Sequence, residues 1–147
     1  VGTDRMATVE RPRVVLADDH PGMAERLRSV LEPECEVVAV AADGVDLLAA
    51  VDAVPHDVVV SDVAMPGLDG IAAARAILAR RPDERVVLVT VHGDAGTADA
   101  AFRAEVRGFV SKVAAGEELV PAVRAALRGE RHWSFLMIRR PPRSTPY

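Results

Sequence analysis

The stretch Val58-Val59-Val60-Ser61-Asp62-Val63-Ala64-Met65-Pro66-Gly67-Leu68-Asp69-Gly70 sets an aspartate directly after three consecutive valines, and a Pro-Gly turn follows. Apolar β-branched residues without polar alternation fit a strand covered on both faces, as in a parallel sheet sandwiched by helices. Beyond the turn, Ile71, Ala74, Ile77 and Leu78 fall at helical spacing, and Arg80-Arg81-Pro82 closes the run. Basic residues there suit the negative end of a helix dipole. The stretch therefore reads as the joint of a strand–helix unit, with Asp62 at the strand tip and Asp69-Gly70 opening the helix.

The same unit recurs on either side. Upstream, Arg13 to Ala17 leads through Asp18-Asp19-His20-Pro21 into a helix striped by Met23, Leu27, Val30 and Leu31, stopped at Pro33. Glu36 to Val40 is the next strand; Asp43 suits an N-cap, and Leu47, Leu48 and Val51 mark a helix ended by Pro55. Downstream, Val86 to Val89 is a strand, Ala95 to Ala104 a weakly apolar helix containing Phe102, and Phe109-Val110 a short strand. Leu119, Val123, Ala126 and Leu127 stripe a last helix ending near Gly129. Five strand–helix units with right-handed crossovers predict an α/β fold, doubly wound and flavodoxin-like, with parallel strand order 2-1-3-4-5. In such sheets ligands bind beyond the carboxyl ends of the strands, where the order reverses between the first strand and the third.

Composition agrees with this architecture. The 147 residues fit one domain, half of them are apolar and only 3% aromatic, so the core is built from Val, Leu, Ile and Ala. A net charge of −4 argues against a nucleic-acid surface spread over the whole domain. Cys35 is the single cysteine, which excludes an intrachain disulfide and a cysteine-based metal cluster. No apolar run approaches the roughly 20 residues that span a bilayer, and residues 1–13 lack the apolar core of a signal peptide. A cytoplasmic location is expected, with no membrane partner. Met6 is the expected natural start; Val1 from an alternative start codon is the other reading.

The carboxyl ends of the strands collect the unusual chemistry: Asp18 and Asp19 after the first, Asp62 after the third, Thr90 after the fourth and Lys112 after the fifth. Neighbouring carboxylates repel unless a cation lies among them or some bind protons. Oxygen donors at this density suit Mg²⁺, which takes one or two carboxylates and keeps waters or phosphate oxygens. Lys112 offers a mobile positive charge and Thr90 a hydroxyl donor. Metal, cation, donor and nucleophilic carboxylate together are what phosphoryl transfer needs. Taken singly, each residue has a plainer role: helix capping for Asp18 or Asp19, an Asx turn for Asp62, a strand end for Thr90, a solvated lysine for Lys112. Their joint placement favours chemistry.

The motifs LADDH, VVVSDVAMPGLDG, VTVHGD and GFVSK resemble the receiver domain of bacterial two-component response regulators, over about residues 13–128. The phrases LADDHPGM and EELVPAVRAALRGERHWS are most similar to the NarL/FixJ type, whose members usually carry a C-terminal LuxR-type helix-turn-helix. The resemblance implies that Asp62 is the phosphoacceptor. Asp18 and Asp19 form the acidic pair, with Asp19, Asp62 and the backbone carbonyl of Ala64 on Mg²⁺. Thr90 is the switch hydroxyl, Phe109 the switch aromatic and Lys112 the family lysine. A sensor histidine kinase is the implied donor, the surface of the fourth helix, fifth strand and fifth helix the implied readout, and a homodimer on phosphorylation the implied assembly. DNA would be contacted only through an output domain absent from this chain. Beyond self-phosphorylation and self-dephosphorylation, no enzyme activity is implied.

Three positions depart from the family pattern. Val113 stands where Pro often follows the lysine, and Val91 where a small residue follows the hydroxyl. Glu105 stands where Gly often ends the fourth helix, and a left-handed conformation there would cost on the order of 1 kcal/mol. His20, His56, His92 and His132 show no metal-ligand spacing and are expected at the surface, with His92 at the rim of the site.

The expected organisation is an N-terminal extension over residues 1–12, the receiver domain over 13–129, and a linker remnant with a non-native or disordered tail over 130–147. The run SFLMIRRPPRSTPY resembles translated sequencing adapter, implying a longer regulator cut short. Other readings are a phosphorylation-independent interaction module, a flavin binder and an aspartyl phosphatase. Asp18-Asp19 would repel a flavin phosphate, and Asp62-Val63-Ala64 lacks a phosphatase's second acid.

Overall fold

A computed structural model describes residues 11–91 and 94–134. The elements are β1 (Arg13–Ala17), α1 (Pro21–Leu31), β2 (Glu36–Ala41), α2 (Gly44–Ala53), β3 (Val58–Asp62), α3 (Gly70–Arg80), β4 (Val86–Thr90), α4 (Ala95–Arg103), β5 (Gly108–Ser111), α5 (Ala115–Leu127) and β6 (His132–Trp133). All pairings are parallel, and the order is β2-β1-β3-β4-β5-β6. The expected 2-1-3-4-5 order holds, and one strand is added at its edge. Alternation along β3 divides the core: Val59 faces a layer with Leu47, Ala73, Ile77 and Ala101, whereas Val58 and Val60 face Leu27, Leu31, Leu119 and Val123. Helices α2, α3 and α4 thus cover one face of the sheet, and α1 and α5 the other.

Local chemistry fixes the helix ends. Asp43, Asp69 and Asp94 accept hydrogen bonds from the backbone N–H groups of Asp46, Ala72 and Thr97, capping α2, α3 and α4. After α4, Glu105 adopts φ +67°, the left-handed conformation that glycine takes without penalty.

Residues 130–134, read from the sequence as the start of a linker, instead return to the sheet. After α5, Gly129 at φ +80° donates to Ala126 O, and Glu130 N–H donates to Ala125 O, which reverses the chain. His132 N–H then bonds Arg107 O, and Ser134 N–H bonds Phe109 O, both at 2.9 Å. The physical reason is the outer edge of β5, whose backbone groups need partners. A two-residue strand carries no periodicity from which to read it. The remainder of the expected extension and tail, residues 1–10 and 135–147, and His92 at the expected site rim lie outside the described residues.

The histidine expectation also needs correction. His56 has a side chain only 4% exposed; its Nδ1 lies 2.7 Å from Val54 O and its Nε2 2.8 Å from Glu84 Oε1. Glu84 makes this buried position tolerable, since it sits ahead of β4 just as His56 sits ahead of β3. His132 is half-buried against Glu118, and among the described histidines only His20 has an exposed ring. Among the described residues no helix is long and apolar enough to cross a membrane.

Candidate functional site

The carboxyl ends of β1, β3 and β5 bring Asp18, Asp62 and Lys112 together. Each strand is buried up to its last residue, so each acid or base is delivered at the rim of the apolar layer. Asp62 ends β3 in register with Val89, one residue short of Thr90 on β4, and Thr90 is paired in register with Ser111. Lys112 follows Ser111 and opens a 3-10 turn (Lys112–Ala114), capped by the Ser111 hydroxyl, which accepts from Val113 N–H at 3.2 Å. That turn swings the ammonium back over the sheet edge. Gly70 lets α3 start against the Asp62 backbone, because a Cβ there would collide with Asp62 O.

Lys112 Nζ donates to Asp18 Oδ2 at 2.9 Å and lies 3.1 Å from Asp62 Oδ2. All three side chains are nearly or wholly buried. One ammonium is thus shared between two carboxylates. Burial pushes the Asp62 carboxyl above the usual carboxylate range, and the charge of Asp18 adds to this, outweighing the Lys112 and Ala64 hydrogen bonds. Burial alone would lower the Lys112 pKa, but its bonds to Asp18 and Asp62 hold it above the ordinary value. Lys112 is charged, and its one ammonium faces both the Asp18 and Asp62 carboxylates.

The donor set has room for a hard cation. Asp18 is already committed, with Oδ2 accepting from Lys112 and Oδ1 from the His20 backbone N–H at 2.9 Å. Asp19 Oδ1 is buried without a hydrogen-bond donor among the described residues. The exposed His20 ring approaches it at 3.1 Å, outside hydrogen-bonding alignment. Asp62 Oδ1 receives the Ala64 N–H, at 3.2 Å. Ligand atoms of Asp18, Asp19, His20 and Asp62 lie within 4.8 Å of one another. The residues fit a divalent cation, with Asp19 Oδ1 the buried oxygen that lacks a hydrogen-bond donor among the described residues.

Thr90 lies nearly buried on the same rim. Phe109 does not join the rim; three residues before Lys112, it is wholly buried in the layer under α4. Its ring centroid lies 5.7 Å from that of Trp133 on β6, which also meets Phe102 of α4 at 6.2 Å. Sequence reasoning missed Trp133, Ser134 and the proximity of His20. The adjacency of His20 to Asp18-Asp19 was the available signal for the last; nothing in the sequence announced the first two.

A family model described as the response regulator receiver domain matches residues 14–124. The transcriptional regulatory protein YxjL of Bacillus subtilis is 36% identical over 123 residues, covering 82% of this chain and 56% of YxjL. The chain thus spans about half the length of that curated relative. The crystal structure of a LuxR-family two-component response regulator from Aurantimonas sp. is similar at TM-score 0.84 and 35% identity, covering 88% of this chain and 94% of that one. The isolated REC domain of RcsB from Salmonella enterica serovar Typhimurium, solved in the presence of phosphomimetic BeF3−, is similar at TM-score 0.80 and 25% identity, over 88% of this chain and 97% of that chain.

Proposed function

The chain belongs to the family of response regulator receiver domains, and from that premise we propose that Asp62 accepts a phosphoryl group from the phosphohistidine of a sensor histidine kinase. The observation that carries this is the single ammonium of Lys112 shared between buried Asp18 and Asp62 at the strand ends. An Asp62 carboxylate oxygen attacks phosphorus in line while the phosphorus–nitrogen bond to the kinase imidazole breaks, its electron pair leaving with the ring nitrogen. The products are an aspartyl phosphate and a neutral histidine. Lys112 neutralises part of the charge on the transferred oxygens, and the Thr90 hydroxyl donates to another of them. Asp19, Asp62 and the Ala64 carbonyl would hold Mg²⁺, with Asp18 behind them. Bound there, Mg²⁺ supplies positive charge that offsets the phosphoryl oxygens.

Phosphorylation adds about two negative charges beside Thr90. Drawing that hydroxyl toward the phosphoryl group perturbs β4 and, through the Thr90–Ser111 pairing, β5, so the α4-β5-α5 face is the readout. Similarity to transcriptional regulators supports a parent protein that acts in the cytoplasm, dimerises on phosphorylation and meets DNA through a separate output domain.

Intact mass after treatment with acetyl phosphate and Mg²⁺ tests the reading. One phosphoryl adduct is expected on the parent chain and none on Asp62→Asn. An unmodified parent, or an adduct that survives in the variant, overturns it.

A further inference from the structure

We propose that β6 is a detachable strap that pins the switch aromatic, and that phosphorylation of Asp62 loosens it, carrying the signal out of the domain through Trp133. This rests on the phosphoacceptor reading above and adds a route for its output.

The strap is tied to β5 and α5, with His132 bonded to Arg107 O and to Glu118 at 2.9 and 3.1 Å, and its remaining contacts lead to the switch. Trp133 is paired in register with Phe109 on the neighbouring strand, and its ring packs between Phe109 and Phe102. The Arg131 guanidinium caps the stack, 4.6 Å from the Phe102 centroid. The Ser134 hydroxyl accepts from Ser111 N–H at 2.9 Å and donates to Glu118 Oε1 of α5 at 2.8 Å. Ser111 is the residue paired with Thr90. The site therefore reaches the strap in two steps across the sheet, from Thr90 to Ser111 to Ser134, and Phe109 and Ser111 both carry it on β5.

The attachment is also poised. The strand has two residues, and its largest side chain carries a buried indole N–H without a hydrogen-bond partner among the described residues. A buried orphan donor favours any state in which water can reach it. With Phe109 wholly buried beneath Trp133, a change in the aromatic's position cannot leave the strap in place, because close-packed rings do not deform continuously. Release uncovers the β5 edge and the aromatic layer under α4.

Trp133 is the only tryptophan in the sequence, so its emission reports the strap directly. The chain is treated with acetyl phosphate and Mg²⁺, and mass, Trp emission and amide exchange are read on one sample. A phosphoryl adduct is expected together with a red-shifted emission and at least about tenfold faster exchange at His132 and Ser134, the donors that tie β6 to β5. Independently of phosphorylation, Ser134→Ala removes the cap on Ser111 and should speed exchange of that amide about fivefold while leaving Val59 and Val60 unchanged. An adduct without change at Trp133, His132 and Ser134 overturns the strap and leaves the phosphoacceptor reading intact. No adduct overturns the phosphoacceptor reading and the strap with it; a Ser111 amide indifferent to Ser134→Ala overturns the strap alone.

Discussion

At the amino end of the sheet, buried Asp57 receives the Arg13 backbone N–H at 2.7 Å and two guanidinium bonds at 3.2 and 3.3 Å. At the carboxyl end, equally buried Asp62 shares the one ammonium of Lys112 with Asp18. Burial acts on both to raise the carboxyl pKa. Arg13 overcomes it at Asp57, whose carboxyl is held below its ordinary value, whereas Lys112 does not overcome it at Asp62. An open cavity of about 440 Å³ sits at the amino end, lined by His56, Asp57, Arg81 and Glu84 among others. Its charges already pair with neighbours: His56 with Glu84, Asp57 with Arg13, Arg81 with Asp52. The carboxyl end carries an unmet charge. Incomplete compensation, rather than cavity size, marks the functional end.

Removing Lys112 is the severest way to test this difference. Lys112→Met leaves Asp18 and Asp62 buried side by side without a cation, and unfolding in urea with a chelator should show a loss of about 3 to 5 kcal/mol. Excess Mg²⁺ should restore part of it, because a ligand of the folded state stabilises by mass action. The two aspartates should then respond with opposite sign to one substitution. Asp57→Asn gives up a fully paired carboxylate and should lose about 2 kcal/mol. Asp62→Asn relieves an under-compensated pair and should gain on the order of 1 kcal/mol without metal, as substitutions at functional sites often do. A loss at both positions would erase the distinction between the two ends.

The five-unit order, the strand-end acids and Lys112 were legible because each rests on a repeated local signal: a valine run, a cap or breaker, then helical spacing. Asp18's commitment to Lys112 and the His20 amide was not legible, since it depends on two side chains brought together across the sheet by residues 94 positions apart. Trp133 was read as linker for the same reason; its place is set by the β5 edge and the Gly129 reversal. His56 shows the converse, because a lone histidine ahead of a strand gives no sign of Glu84, which comes from the next loop.

His56 sharpens the comparison through pH. The hydrogen bond to Glu84 comes first among the causes that raise the His56 pKa above its ordinary 6.5, against burial, which lowers it. A histidine with a raised folded pKa contributes its full stability below about pH 6.5 and loses it as pH climbs through the folded value. The chain should therefore weaken across that window, and His56→Gln should flatten the profile there without altering phosphorylation of Asp62. A phosphorylation rate that follows His56 would show that the two ends of the sheet are coupled.

The smallest expected effect concerns Glu105, which follows α4 and so lies toward the amino end, where β5 begins. At φ +67° its side chain carries a conformational cost that glycine avoids, and its N–H still closes the helix end by donating to Phe102 O at 3.0 Å. Glu105→Gly should keep that bond and raise the free energy of unfolding by about 1 kcal/mol, less the small entropy glycine adds to the unfolded chain. If strain at this end serves stability alone, the acetyl phosphate adduct on Asp62 should form at the parent's rate. A gain in stability with slower phosphorylation would instead make the α4 terminus part of the switch, since Phe102 would then join the cost at Glu105 to the ring of Trp133.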